Sequence, residues 1–258
     1  MFFYRIARLT ALAALVSTAF AAAAFAYFGD VVASFSAPAE GPQALAYNNG
    51  NLYCYCDSQA GRIWRINAAN GNVTGSFVFD KAGAYLGGLA HDGDYLWAGN
   101  TEENRIYRFD WGGSVLSSFQ AGWDVGNGLA WSGWHIWGCA QGTKWDYRFF
   151  QMRFTGGVIR SYQTYYESYD VAWDGKYLWI PQYDDIATSY LVAAMTPTDG
   201  SVTGMLENPP GDQPRGATCE GNYIWLSTLA DGGYLWKIDI KGLAVEPTSM
   251  GKVKALFR

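Results

Sequence analysis

Charge is scarce in this chain. Only 16% of its 258 residues are Asp, Glu, Lys or Arg, and 18 basic residues face 23 acidic ones, for a formal net charge of −5. A chain with no basic excess lacks the electrostatic footprint of a nucleic-acid binder, so no nucleic-acid partner is expected. Histidine is scarcer still, with two residues. That leaves little to build a His-rich zinc site or a Ser-His-Asp triad, and no resident metal or cofactor is expected. There is no Gly-rich phosphate loop. Past residue 26 no apolar run is long enough to span a bilayer. A hydrophobic content of 50% excludes disorder, and neither a Gly-X-Y period nor coiled-coil composition is present.

Aromatic residues and glycine are abundant instead: 12 Trp, 18 Tyr, 14 Phe and 31 Gly. Aromatic-rich, Gly-rich and charge-poor composition points to many short strands joined by tight turns. The N-terminus differs. Arg5 and Arg8 precede an uncharged Ala-rich run, Leu9 to Ala26, that ends in Ala24-Phe25-Ala26. This reads as a secretory signal peptide over residues 1–26. The alternative is an uncleaved anchor, since the run sits at the lower edge of spanning length. The expected mature chain is a single domain over residues 27–258, exported to the periplasm or the extracellular space. Residues 246–258 are either an extra edge strand or a loose basic tail.

A period of about forty residues runs through this domain. Gly88-Leu-Ala-His-Asp-Gly-Asp-Tyr-Leu-Trp97 recurs as Gly128 to Trp137, Asp170 to Trp179 and Gly216 to Trp225, with a weaker first copy from Ala44 to Cys54. Third strands follow, at Ile63–Asn67, Ile106–Asp110, Gln151–Thr155 and Leu235–Asp239, with a degenerate copy at Val192–Thr196. Fourth strands such as Val73–Phe77 and Val115–Phe119 come after a Gly/Asn/Asp turn. Four short antiparallel strands per forty residues make one propeller blade. Five copies predict an all-β, five-bladed β-propeller of four-stranded antiparallel blades. The N-terminal Val31–Phe35 is an orphan fourth strand, expected to complete the last blade and close the ring.

With the Trp173-Asp-Gly-Lys-Tyr-Leu-Trp179 repeat in view, the chain resembles secreted bacterial propellers of the NHL/YVTN-like superfamily. By blade count it is similar to the five-bladed glutamine cyclotransferase type among them. The resemblance covers nearly all of residues 31–245 and implies the architecture. It carries no catalytic motif, and one propeller fold hosts many functions.

Several conspicuous residues are expected to be structural. Asp92-Gly93, Asp174-Gly175 and Glu220-Gly221 fall in hairpin turns. Trp97, Trp137, Trp179 and Trp225 recur once per blade, as inter-blade packing requires. His91 aligns with Trp131 and Trp173, and His135 with Tyr95 and Tyr177, so both read as core substitutes. The four cysteines permit disulfides in an exported chain. A two-residue turn at Asp174-Gly175 would set Trp173 opposite Lys176. Placing Cys219 at the Trp173 position and Cys54 at the Trp179 position makes Cys54–Cys219 a candidate bridge across the closure seam. The alternative is four reduced, buried thiols.

A site is expected on one face of the ring. The first-to-second and third-to-fourth strand turns are short, whereas the second-to-third and fourth-to-first connections are long and differ from blade to blade. Variable loops on a rigid scaffold are where function concentrates. The residues entering the innermost strands are Gln43, Gly87, Asn127, Tyr169 with Asp170, and Arg215. Around them lie Trp123, Asp124, Trp145, Asp146, Tyr166, Glu167, Tyr183, Asp184 and Asp185. Aromatic faces stack on sugar C–H groups or cations, and carboxylates accept from hydroxyls; ordinary solvated loop residues are the alternative. The first functional expectation is a monomeric binding module for a glycan, small molecule, peptide or extracellular protein. The second is an enzyme (lyase, hydrolase or cyclotransferase) using Glu167, Asp170 and Asp124 as acids or bases with Arg215 as anion stabiliser. A calcium ion held in the channel by Asp170 is the third.

Overall fold

The computed structural model describes residues 29–59, 61–79, 85–121, 127–140, 146–164, 166–207 and 209–242. The expected leader, the tail from residue 246, and Trp123, Asp124 and Trp145 lie outside these ranges.

The described residues form five small antiparallel sheets. An N-terminal strand, β1 (Val31–Ser36), is followed by blade one: β2 (Pro42–Asn48), β3 (Asn51–Cys56), β4 (Arg62–Asn67) and β5 (Val73–Val78). Blade two is β6 (Leu86–His91), β7 (Leu96–Asn100), β8 (Arg105–Phe109) and β9 (Val115–Gln120). Blade three is β10 (Gly128–Trp131), β11 (Ile136–Ala140), β12 (Tyr147–Met152) and β13 (Val158–Thr164). In blade four the innermost strand is split into β14 (Glu167–Ser168) and β15 (Ala172–Trp173), followed by β16 (Leu178–Asp184), β17 (Ser189–Met195) and β18 (Val202–Glu207). Blade five is β19 (Pro214–Glu220), β20 (Tyr223–Thr228) and β21 (Tyr234–Asp239), and its outer edge is β1, paired antiparallel with β21. The five-bladed architecture and the closure by the N-terminal strand are as the repeat predicts. The third strand of blade three starts earlier than expected, at Tyr147 rather than Gln151. Among the described residues no helix is long and apolar enough to cross a membrane.

The blades are held by apolar seams. Trp97 packs with Leu129 and Phe150 of blade three, and Trp137 with Ile180 and Ala193 of blade four. Trp179 packs with Ile224 and Ile238 of blade five, and Trp225 with Leu45 and Leu52 of blade one. One large ring per blade thus faces the next blade, each burying roughly 150–250 Å². The turn carboxylates fix these rings. Asp92 Oδ2 accepts from Trp97 Nε1 at 2.9 Å, Asp174 Oδ2 from Trp179 Nε1 at 2.7 Å, and Glu220 Oε2 from Trp225 Nε1 at 2.8 Å.

The same carboxylates change the expected register. Asp174 Oδ1 accepts from the backbone N–H groups of Lys176 and Tyr177, both at 2.7 Å. This organises a four-residue turn, so Trp173 lies opposite Leu178 rather than Lys176. Blade one differs. Asn48 lies opposite Asn51, leaving the two-residue turn Asn49-Gly50 with φ of 47° and 76°, the positive pair of a type I′ turn. Gly50 is therefore one position out of step with Gly93, and Tyr53, not Cys54, takes the Trp97 place. Tyr53 accordingly packs toward Leu89 and Tyr107 of blade two. A one-residue slip exchanges the faces of a strand. Cys54 turns into the seam between blades five and one, whereas Cys219 lies in the seam between blades four and five. The Cys54–Cys219 bridge is thereby corrected: blade five stands between the two thiols, which are free, and the sulfur beside Cys54 Sγ is Cys56 Sγ at 3.7 Å.

At the axis the five inner strands crowd. A Cβ on Gly88 would stand 2.5 Å from the backbone of Gly128, and one on Gly128 would stand 2.4 Å from Asp170 Cα. Backbone cannot yield at such distances, so Gly88→Ala is expected to cost about 3 kcal/mol or more through overpacking. Gly75→Ala, whose Cβ would meet only Arg65 at 3.6 Å, is expected to stay within about 1 kcal/mol of the parent. Urea unfolding of the two variants tests this; equal midpoints would contradict the axial crowding.

Candidate functional site

The inner strands share a device at their channel entrance. Register shifts interrupt the pairing between Pro42 and Ala44, between Leu86 and Gly88, and between Pro214 and Ala217. Such bulges re-aim side chains and gather beside binding sites. They place Gln43 and Arg215 at the entrance on the long-loop face. In blade four the interruption is larger. The Tyr169 N–H donates to the Pro181 carbonyl at 3.0 Å, but proline has no N–H to return. The ladder loses a rung and the strand opens over Tyr169–Val171.

Asp170 drops through this opening onto the axis. It is fully buried. Its Oδ1 accepts from Leu129 N at 3.1 Å and Val171 N at 2.8 Å, and its Oδ2 accepts from Ala217 N at 2.7 Å. The three donors belong to blades three, four and five. Burial pushes the Asp170 carboxyl well up, and these three amides oppose that shift. Both oxygens are engaged by backbone, so Asp170 is a clasp between blades. A calcium ion at the axis would have to compete with those amides. Below the clasp a cavity of about 60 Å³ runs toward the short-turn face, bounded by His91, Trp131, Trp173 and Cys219 among others. That is far below the several hundred Å³ of a small-molecule pocket. His91 Nδ1 accepts from Gly93 N at 3.2 Å, and burial lowers the pKa of the ring, in keeping with a structural role.

Above the clasp, blades one, two, four and five contribute to one constellation. Gln43 Nε2 donates to Asp57 Oδ2 at 2.5 Å, and the Tyr85 hydroxyl donates to the same oxygen at 2.8 Å. Asp57 opens the short 3-10 turn after β3, tied by its own N–H to the Gly41 carbonyl at 2.8 Å. Its Oδ1 is buried and has no partner. Burial holds the Asp57 carboxyl above its ordinary range, opposed by Tyr85, Gln43 and the Arg215 charge. Burial, together with the Asp57 carboxylate, drives the Tyr85 and Tyr55 phenols up to about 12.

On the other side of the entrance the Arg215 guanidinium lies 3.9 Å from the Tyr169 ring centroid, a cation–π stack. Tyr169 OH donates to Glu167 Oε2 at 3.1 Å. Arg215 Nε is buried and unpartnered. Tyr190 joins the wall, 6.4 Å from the Tyr169 ring and 4.8 Å from Tyr183.

Of the residues expected here, Gln43, Glu167, Tyr169, Tyr183 and Arg215 converge. Asn127 stands half-buried just before β10. Asp184 serves its own loop: its Oδ1 accepts from Ile186 N at 2.9 Å and Ala187 N at 3.0 Å. Asp57, Tyr85 and Tyr190 were not anticipated. Asp57 had one sequence signal, a carboxylate directly after an inner-blade strand end.

No protein-family model matches the chain, and no curated protein matches it. Solved structures do. The fold is similar to Myxococcus xanthus glutaminyl cyclase, at 13% identity and a TM-score of 0.62 over 81% of this chain and 96% of that one. It is similar to a chain of the nidogen/laminin complex, at 15% identity and a TM-score of 0.53 over 79% and 77%. A third likeness is to Kuenenia stuttgartiensis hydrazine synthase, at 19% identity and a TM-score of 0.50 over 75% of this chain and 57% of that one. The chain thus matches little more than half of the hydrazine synthase chain. At these identities the likeness is one of propeller fold.

Asp170→Asn would turn an amide NH2 toward a backbone N–H and discharge the clasp. It is expected to cost about 3 kcal/mol, lowering the melting temperature by about 6–12 °C in a domain of this size. A calorimetric midpoint equal to that of the parent would remove the clasp from the account.

Proposed function

We propose that the chain is an exported binding module that takes a polar ligand, whether glycan, peptide or protein segment, at the channel mouth on its long-loop face. Export follows from the reading of residues 1–26 as a secretory leader. One observation carries the binding reading: Asp57, held by Gln43 and Tyr85, and Arg215, stacked on Tyr169, stand at the strand entries of one face, and each keeps one polar atom without a hydrogen-bond partner, Oδ1 and Nε respectively. Each such group costs about 1–3 kcal/mol while unmet, and a ligand that draws either side chain out to meet it recovers that loss. Gln43, Tyr85 and the Tyr169 stack hold the two groups in place.

An enzyme is the second reading. It is favoured by the upward-shifted Asp57 carboxyl between a phenol and a guanidinium, the setting of an acid or base. In that reading Asp57 and Glu167 take the acid–base roles and Arg215 stabilises an anion.

A thermal-shift screen against saccharides, amines and short peptides tests the binding reading. A true ligand raises the melting temperature, by about 2.7 kcal/mol of stabilisation at a hundredfold excess over its dissociation constant. Asp57→Asn and Arg215→Met should each abolish that shift. Acidification should weaken it, because Asp57 takes a proton and loses its negative charge as pH falls through its raised pKa. A ligand whose shift survives both substitutions would place the site elsewhere.

A further inference from the structure

Two blades pair a third-strand cation with the turn carboxylate that also holds the seam tryptophan. Arg108 stands opposite Trp97 in the register, and Lys237 opposite Trp225. Asp92 Oδ2 lies 3.7 Å from Arg108 Nε, and Glu220 Oε2 lies 2.7 Å from Lys237 Nζ. Blade four keeps the acid, Asp174, but has Ala194 opposite Trp179. Blade three has neither, with Ser132 in the turn and Gln151 opposite Trp137. Blade one has the cation without the acid. Arg65 stands opposite Tyr53. The turn position five residues before that ring, which Asp92 and Glu220 hold in their blades, is taken by Asn48. Among the described residues Arg65 forms no ion pair. Its Nε donates to Thr74 Oγ1 at 3.0 Å and its Nη2 to the Thr74 carbonyl at 3.4 Å.

Tyr53 stands where the other four blades have tryptophan, and beside it lies a cavity of about 300 Å³ between blades one and two. Tyr53 and Phe77 of blade one and Trp111, in the short turn between β8 and β9, line it. The Tyr53 and Trp111 ring centroids are 4.9 Å apart, with the rings tilted by 42°. Gly75 completes the row Tyr53–Arg65–Gly75 across the sheet. Having no side chain, it leaves the space beside Arg65 open, and glycine inside a strand often marks the approach of another group. Arg65 is the one charged residue of the lining. It is exposed, and Phe77 and Trp111 are half-buried, so solvent reaches all three. The volume stands at the lower end of the range of small-molecule sites, roughly 300–1,000 Å³.

The lining sets the ligand. A guanidinium that lacks its carboxylate takes one from outside, in the paired N–H geometry that suits both groups. Three rings take a flat apolar body, stacked or edge-on. A sugar acid brings a carboxylate but also several hydroxyls, which ring walls leave without partners. Acetate or phosphate leaves the rings in water, and an aryl amine meets the Arg65 charge. We propose that the cleft between blades one and two is a second binding site, for a small aryl carboxylate whose carboxylate pairs with Arg65 and whose ring lies among Tyr53, Phe77 and Trp111. This site stands apart from the channel mouth and takes a ligand of its own.

Isothermal titration calorimetry on the purified full-length protein tests this with 2-naphthoate, 2-naphthamide, acetate and glucuronate. The naphthoate is expected to bind at least tenfold more tightly than the other three, with an affinity that falls as salt rises. Arg65→Gln should bring its binding down to the level of the amide. Asn48→Asp gives blade one the carboxylate of blades two and five; by pairing with Arg65 it should weaken naphthoate binding at least threefold. Gly75→Leu, whose side chain enters the cavity, should abolish binding, with its folding checked by the melting curve. Should Gly75→Leu misfold, the two other variants decide. Undiminished naphthoate binding in any folded variant of the three would overturn the proposal. So would binding of the amide, acetate or glucuronate as tight as that of the naphthoate, and so would the absence of heat with every probe.

Discussion

Five inner strands converge on an axis too narrow for five side chains. Four of the positions that meet there are Ala44, Gly88, Gly128 and Gly216, and a methyl group on either of the middle two would collide with backbone. The fifth is Asp170, whose carboxylate occupies the space the others vacate and accepts amide protons from blades three, four and five. The edge of an inner strand has no neighbour on its channel side, so its amides need partners other than a ladder. One carboxylate meets three of them. The Trp seams hold neighbouring blades face to face, and the clasp fixes how those blades meet at the centre.

The clasp also divides the channel. It closes the channel, leaving about 60 Å³ below it. On the long-loop face, bulges turn Gln43 and Arg215 out of the strand ladder. The opening in the inner strand of blade four serves both purposes. Pro181 breaks one rung, which lets Asp170 reach the axis and lifts Tyr169 into the stack with Arg215. Scaffold and candidate site therefore share a local irregularity, which breaks the symmetry of an otherwise repeating ring.

Much of the ring was legible because each blade repeats the same solution. A turn carboxylate, a glycine and a seam tryptophan recur with the period, and blade count and closure follow from them. The failures lie where one blade departs from the rest. The shorter turn at Asn49-Gly50 puts Gly50 out of step, and aligning on that glycine moved Cys54 to the wrong face. Asp170 read as a ligand-facing acid because sequence shows the carboxylate and not the three amides around it. Asp57 and Tyr85 sit in irregular segments just outside β3 and β6, where no period applies. Gln43, Tyr169 and Arg215 were readable as strand entries because entries are marked by the repeat, although the stack of one on another was not.

The central claim is that the axial clasp is as strong as the fold itself. Native-state hydrogen exchange at the amides of Leu129, Val171 and Ala217 measures this directly. If the clasp holds the blades, all three exchange only by global unfolding, with protection that tracks the denaturant stability of the whole domain. Rapid exchange at these amides, while the Trp97 and Trp179 strands stay protected, would contradict it and leave the seams alone to hold the ring.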